Sequence, residues 1–216
     1  MTRNLWEASC TETVAPAALS GDHGADLVVI GGGFTGCSAA LEAAQAGASV
    51  IVLEAERVGH GGSGRNVGLV NAGLWLPPDQ VEQAMGQGPG ERLNAALAAG
   101  PGEVFELIER HGIACEAVQA GTLHCAHAPK GFADLRERHR QQAARNAPVT
   151  LLDPETARGR LGSAGIHGAL HDARAGTVQP MGYVRGLARA AAGLGARIVE
   201  GAPVSAIRRE GTGWRV

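Results

Sequence analysis

The sequence predicts an α/β protein, a doubly wound and mostly parallel sheet split along the chain by an inserted α+β region. Three observations carry this. The β-branched apolar run Leu27–Ile30 stops at glycines, a helical stretch follows, and a second apolar run closes the unit at Ser49–Leu53. The middle of the chain loses that rhythm. After Gly176 a helix with apolar residues on one face and a short apolar run bring it back.

Element by element, residues 1–25 read as an arm lying on the surface, broken by Pro16, Ser20 and Gly21. Residues 26–76 form the first part of the main domain: a buried strand at Leu27–Ile30, a helix from Phe34 to Ala46 closed by Gly47, and a buried strand at Ser49–Leu53. Residues 77–175 are the insertion. Its start is helical, but Gly88, Pro89, Gly90, Gly100, Pro101 and Gly102 predict two or three short helices joined by turns. Strands are predicted at Thr122–Ala126 and Ile166–His171, with an exposed charged helix at Phe132–Arg145. Residues 176–216 return to the main domain. Gln179-Pro180 opens a helix ended by Gly195, and Ala196–Glu200 and Val204–Ile207 read as strands, the second leading into a hairpin.

Composition narrows the function. Nineteen lysines and arginines against 21 acidic residues give a charge of -2, which argues against nucleic-acid or anionic-membrane partners. Glycine is abundant (33) and aromatics scarce (3%), which favours backbone recognition of a ligand over stacking platforms. Cys10, Cys37, Cys115 and Cys125 have no metal-site spacing, so no metal and no disulfide framework is expected. No signal segment or membrane-length apolar run is seen, and a cytoplasmic location is expected.

Gly31-Gly32-Gly33-Phe34-Thr35-Gly36 fits G-x-G-x-x-G between a predicted strand and a predicted helix. Gly31 permits the tight turn, Gly33 lets a pyrophosphate approach the backbone, and Gly36 lets helix and strand pack closely; the helix start offers free N–H groups to the anion. Glu54 ends the second predicted strand, eighteen residues past Gly36, where a carboxylate can accept both ribose hydroxyls. The alternative is an acid that merely caps the strand in solvent. An acid at this point also argues against a 2'-phosphate, hence against NADP.

A second constellation follows: Glu54-Ala55-Glu56-Arg57-Val58-Gly59, then Gly61-Gly62-Ser63-Gly64-Arg65-Asn66-Val67-Gly68. With the first turn, it resembles the D-amino-acid oxidase superfamily of FAD-dependent oxidoreductases, and most the branch of gamma-glutamylputrescine oxidase and related enzymes. Here Gly62 and Val67 stand where that branch has Ala and Gly, so packing near Val67 departs from its pattern. The similarity continues to Gly176-Thr177-Val178-Gln179-Pro180 and to Val204. The resemblance implies that Ser63 and its neighbouring N–H groups contact the pyrophosphate, that Arg57 lies near the adenosine, and that Asn66, Val67 and Gly68 pass close to the flavin ring. It also implies that the backbone of Val204 meets the adenine. Some relatives attach FAD through a histidine; the comparable position is Arg65, so a non-covalent cofactor is expected. Read from the residues alone, Gly59–Gly68 can also be a flexible loop.

The expected fold is thus a discontinuous Rossmann-like FAD-binding domain with an inserted α+β substrate domain. Relatives run to roughly twice this length, so the chain is expected to be truncated. The expected function is oxidation of an amine or amino acid by hydride transfer to flavin N5, with a small-molecule amine or amino acid as partner. The alternatives are an FAD-binding module without activity of its own and an NAD-dependent dehydrogenase. His124, His171 and Trp75 are candidates for lining a substrate cavity, against the alternative that each is structural; His167 and His171 fall on a strand and cannot form a helical metal pair.

Overall fold

A computed structural model describes residues 4–216. In chain order the elements are α1 (Leu5–Ser9), β1 (Leu27–Ile30), α2 (Phe34–Gln45), β2 (Val50–Leu53), β3 (Leu69–Val70), α3 (Pro78–Met85), α4 (Gln87–Arg110), β4 (Thr122–Cys125), α5 (Pro129–Ala144), β5 (Val149–Leu152), α6 (Pro154–Leu161), β6 (Ala169–Asp172), β7 (Gly176–Thr177), α7 (Pro180–Gly193), β8 (Arg197–Val199), β9 (Arg208–Glu210) and β10 (Gly213–Arg215). The fold is mixed α/β. It divides into two compact units, one made of the chain up to Gly68 with Leu107–Ala117 and Val178–Val216, the other of Leu69–Glu106 and Val118–Thr177.

The first unit is built on a parallel sheet in the order β1-β2-β8. β2 is central and buried, whereas β1 is an edge strand with Leu27 and Ile30 exposed, not the buried strand expected from its apolar run. An edge strand has a neighbour on one side only, so apolar composition does not guarantee burial. Helices α2 and α7 pack together: Cys37, Ala40, Leu41 and Ala44 of the first, and Val184, Leu187, Ala188 and Ala191 of the second, are buried. Removing Leu41 and Leu187 wholly from water stabilises the unit by about 1.5–3 kcal/mol each.

From Asn4 onward the arm lies largely on the surface but is tied down at several points. Asn4 caps α1, accepting from the Glu7 N–H at 2.8 Å. Further on, Ala17 donates to the Ile198 carbonyl at 2.7 Å, beside β8. Glu12 is buried; it pairs with Arg189 at 2.8 Å and accepts from the Ala114 N–H at 2.8 Å. Likewise, Val204–Ile207 is not a strand. The hairpin starts later, at Arg208, and pairs β9 with β10 antiparallel.

The second unit holds an antiparallel sheet in the order β4-β6-β5, covered on one face by α5, with Leu135 and Phe132 against Leu170 and Leu151. β5 and α6 have no counterpart in the sequence reading. α6 nevertheless carries its start signal, Asp153 before Pro154, with the carboxylate accepting from Glu155 and Thr156. The expected series of short helices is two helices, the short α3 and a 24-residue α4 that runs through Gly88–Gly102 and Pro101 without a break. Proline cannot donate to the Leu97 carbonyl one turn back, and Gly73 N–H takes that carbonyl at 3.3 Å, which offsets part of the loss.

The Glu12 carboxyl is held below its ordinary value of 4.5: burial pushes it up, but the Arg189 guanidinium and the Ala114 N–H outweigh that. A depressed carboxyl contributes stability above pH 4.5 that is lost as pH falls through its folded value. Glu12→Gln is expected to cost about 1.5–3 kcal/mol in urea unfolding at pH 7, and to flatten the loss of stability below pH 4.5 relative to the wild type. Equal midpoints at pH 7 would contradict this.

Candidate functional site

The site candidates of the first unit converge on the start of α2. Gly31 turns the chain at the end of β1 with φ at +99°, a conformation that side chains resist, while its N–H bonds the Leu53 carbonyl at 2.8 Å. The helix then starts hard against the turn it has left: a Cβ on Gly36 would stand 2.0 Å from the Gly31 carbonyl oxygen. Only a residue without a side chain permits this approach. Gly33 caps α2 with no side chain of its own.

The first turn of a helix leaves its N–H groups without intrahelical partners. Here Phe34 N–H donates to Ser63 Oγ at 3.0 Å, and Gly32 N–H to Glu54 Oε2 at 2.6 Å. The N–H groups of Thr35 and Gly36 have no acceptor among the described residues. Glu54 Oε1 also accepts from Glu56 N–H at 2.9 Å, so each carboxylate oxygen keeps lone-pair capacity at the tip of β2. Three glycines, two unpaired amides, a hydroxyl and a carboxylate therefore meet in one place. A dinucleotide pyrophosphate and its ribose need this donor and acceptor set, so the residues present fit FAD.

The second glycine-rich segment is an ordered turn, with a 3-10 helix at Gly62–Gly64. The Asn66 amide donates to the Ser63 carbonyl at 2.8 Å and its oxygen accepts from Gly68 N–H at 2.8 Å. Val67 between them stays 71% exposed, an apolar side chain free to meet a ligand. Trp6 of α1 donates to the Asn66 carbonyl at 2.9 Å, and Glu7 pairs with Arg57 at 2.7 Å. These α1 residues were invisible to motif reading because they belong to no repeated spacing. Arg65 lies beside His60 at 3.3 Å, and Ala55 follows Glu54 at the strand tip. Val204 lies in an irregular segment two residues past Ala202, whose N–H bonds the Glu54 carbonyl at 2.9 Å. Phe34 and Tyr183 pack ring to ring at 5.3 Å.

Two of the three cavity candidates in the second unit come together: Trp75 and His124 stack with ring centroids 4.9 Å apart, on the wall of a cavity of about 500 Å³. His171 does not join them. It pairs with Leu123 across β4 and β6, whereas His124 pairs with Leu170, and this register puts the two histidines on opposite sheet faces. Burial, then the Arg138 charge, lower the His124 pKa.

Among the described residues, no group of three or more His, Cys, Asp or Glu can hold a metal ion, and no helix is long and apolar enough to cross a membrane. All four cysteines are free.

Residues 26–216 match the family model described as DAO, FAD dependent oxidoreductase. The chain is 32% identical over 208 residues to a probable oxidoreductase OrdL of Rhizobium meliloti, covering 95% of this chain and 48% of that protein. It is equally identical, over 208 residues, to gamma-glutamylputrescine oxidoreductase of Escherichia coli, covering 96% and 49%. The chain thus spans about half the length of these relatives. Among solved structures, glycine oxidase from Geobacillus kaustophilus superposes with a TM-score of 0.72 at 25% identity, over 88% of this chain and 50% of that one.

Two outcomes follow from the packing of the first unit. Gly36→Ala is expected to lower stability by about 1–3 kcal/mol, read as a lower thermal midpoint, because the Gly31 carbonyl must move. Burial, then the Glu54 charge, push the Cys37 thiol up to about 12. Burial, then Glu12 and Glu116, push Cys115 to about 11. Both should stay unalkylated by iodoacetamide at pH 8 until urea is added; labelling of all four cysteines at one rate in the native protein would refute this.

Proposed function

The chain belongs to the DAO family of FAD-dependent oxidoreductases, and on that premise we propose that its first unit holds FAD without a covalent bond, in a protein that oxidises an amine or amino acid. The observation that carries this reading is the pair of acceptorless amides, Thr35 and Gly36, beside Ser63 and Glu54. When bound, the isoalloxazine supplies at N5 the acceptor for a hydride from a CH–NH carbon.

The residues of the chain then bind, orient and exclude. Gly31, Gly33 and Gly36 bring the backbone close to the pyrophosphate, and the Thr35 and Gly36 N–H groups and Ser63 Oγ donate to it, with the positive end of α2 behind them. Phe34 shields that corner with Tyr183. Glu54 would accept hydrogen bonds from the ribose hydroxyls while Gly32 and Glu56 hold its carboxylate in place, with Ala55 beside it at the cofactor. Arg57 and the backbone of Val204 serve the adenosine end. Asn66, Val67 and Gly68 border the ring, and Arg65 offers no nucleophile for a flavin link. Such a protein needs no catalytic triad, only a neutral amine positioned in a site that excludes water. Trp75 and His124 wall the cavity that receives it. Gamma-glutamylputrescine oxidoreductase and glycine oxidase, as named, point to the CH–NH donor class.

The test is spectral. The purified protein is expected to be yellow and to release FAD into the supernatant on acid precipitation, and Glu54→Gln is expected to bind FAD about tenfold or more weakly in a fluorescence titration. Anaerobic bleaching of the full-length protein by a member of a panel of amines and D-amino acids would support the reaction class. A colourless protein that takes up NADH would replace this reading with a nicotinamide dehydrogenase, and FAD binding with no bleaching by any amine would remove the amine oxidation.

A further inference from the structure

Past the tips of β2 and β8 the chain runs on as two loops of the first unit, Glu54–Gly59 and Glu200–Val204. The strands pair in parallel with Leu53 opposite Val199, and the last rung between them is Glu54 N–H to the Val199 carbonyl at 2.9 Å. Parallel neighbours share no tight turn at their ends, so the spacing of the loops beyond that rung must be set by other bonds. Two of these are backbone to backbone: Ala202 N–H donates to the Glu54 carbonyl at 2.9 Å, and Gly201 N–H to the Glu56 carbonyl at 3.0 Å. A side chain adds a third. Val58 N–H donates to Glu200 Oε1 at 2.8 Å, a link between residues 142 apart in sequence.

That bond falls on a peptide held at both ends. Its N–H goes to Glu200, and its carbonyl, that of Arg57, accepts from His60 N–H at 2.9 Å. A planar peptide bonded through both polar groups cannot turn without breaking one of them, which fixes the backbone on the far side of Arg57. Arg57 is exposed, so packing does little to set its course, whereas Val58 is buried and Gly59 N–H returns to the Gly32 carbonyl at 3.0 Å. No arginine or lysine pairs with Glu200 among the described residues, so its carboxylate serves the backbone of the facing loop and not a salt bridge. An ionised acceptor makes such a bond stronger than a neutral one does.

We propose that Glu200 is a positioning residue for the adenosine end of the cofactor. It acts on no ligand atom; by holding the Arg57–Val58 peptide it keeps the loop of Glu54 and Arg57 at a fixed spacing from the loop of Val204. The inference rests on the flavin reading above and deepens it, since it makes the adenosine end depend on a side chain outside both glycine-rich turns.

The flavin-stripped full chain is titrated with ADP by calorimetry, and with FAD and FMN by fluorescence, well below its thermal midpoint. Glu200→Ala is expected to weaken ADP and FAD alike by about tenfold, because Val58 N–H loses a charged acceptor. FMN, which has no adenosine, should change by less than about twofold. Glu200→Gln keeps an oxygen acceptor of the same reach and should stay within about threefold of the wild type. An unchanged ADP affinity in folded Glu200→Ala would overturn the inference, as would an equal loss for FMN, the mark of a general loosening. Hydrogen exchange at the Val58 amide of the wild type needs no variant: it is expected to be slow in the stripped protein and slower with ADP bound. Exchange as fast as in an open loop, or unmoved by saturating ADP, counts against the inference whether or not Glu200→Ala folds. A wild type that binds none of the three ligands defeats the flavin reading and this inference with it, whereas one that binds FAD and ADP with affinities indifferent to residue 200 defeats this inference alone.

Discussion

The contact between two stretches of bare backbone, Gly36 at the head of α2 and the Gly31 carbonyl, governs the first unit. Because no side chain separates them, α2 begins directly at the end of β1, and the turn ahead of it reaches the Glu54 carboxylate at the tip of β2 through Gly32 N–H. The same closeness brings Cys37, Ala40 and Leu41 down onto α7, so one constraint sets both the core and the glycine-turn corner. Stability and ligand geometry are therefore coupled at this point, and neither can be altered there alone.

Around that corner, polar groups are held by other polar groups. Gly32 and Glu56 fix the Glu54 carboxylate, Phe34 N–H fixes the Ser63 hydroxyl, and the Asn66 side chain spans its own turn. The Ser63 hydroxyl and each Glu54 carboxylate oxygen are positioned by one hydrogen bond and keep further capacity. Such preorganisation lowers the entropy cost that a ligand meets on arrival.

Much of the first unit was legible because its signals are local. A β-branched run, a glycine turn, a helix and an acid at the next strand's tip follow one another within Leu27–Glu54, and each element reports its neighbour. What stayed illegible depended on partners distant in sequence. Pro101 reads as a helix breaker until Gly73 is seen to occupy the Leu97 carbonyl. Glu12 reads as one more surface acid until Arg189 is placed against it. Arg138 and Gln142 look like ordinary members of an exposed charged helix, and only the register of β4 with β6 gives α5 a cavity to face. The Val204–Ile207 run failed for a different reason: β-branched composition favours extension but supplies no strand to pair with.

The tether from Trp6 to the Asn66 carbonyl, with Gln179 holding the Trp6 carbonyl from the other side, bears on how the protein is handled. An affinity tag fused directly ahead of Asn4 would tug on the loop that stiffens the second glycine turn. A preparation made that way would present a slackened turn, whereas a long flexible spacer would leave the tether unloaded.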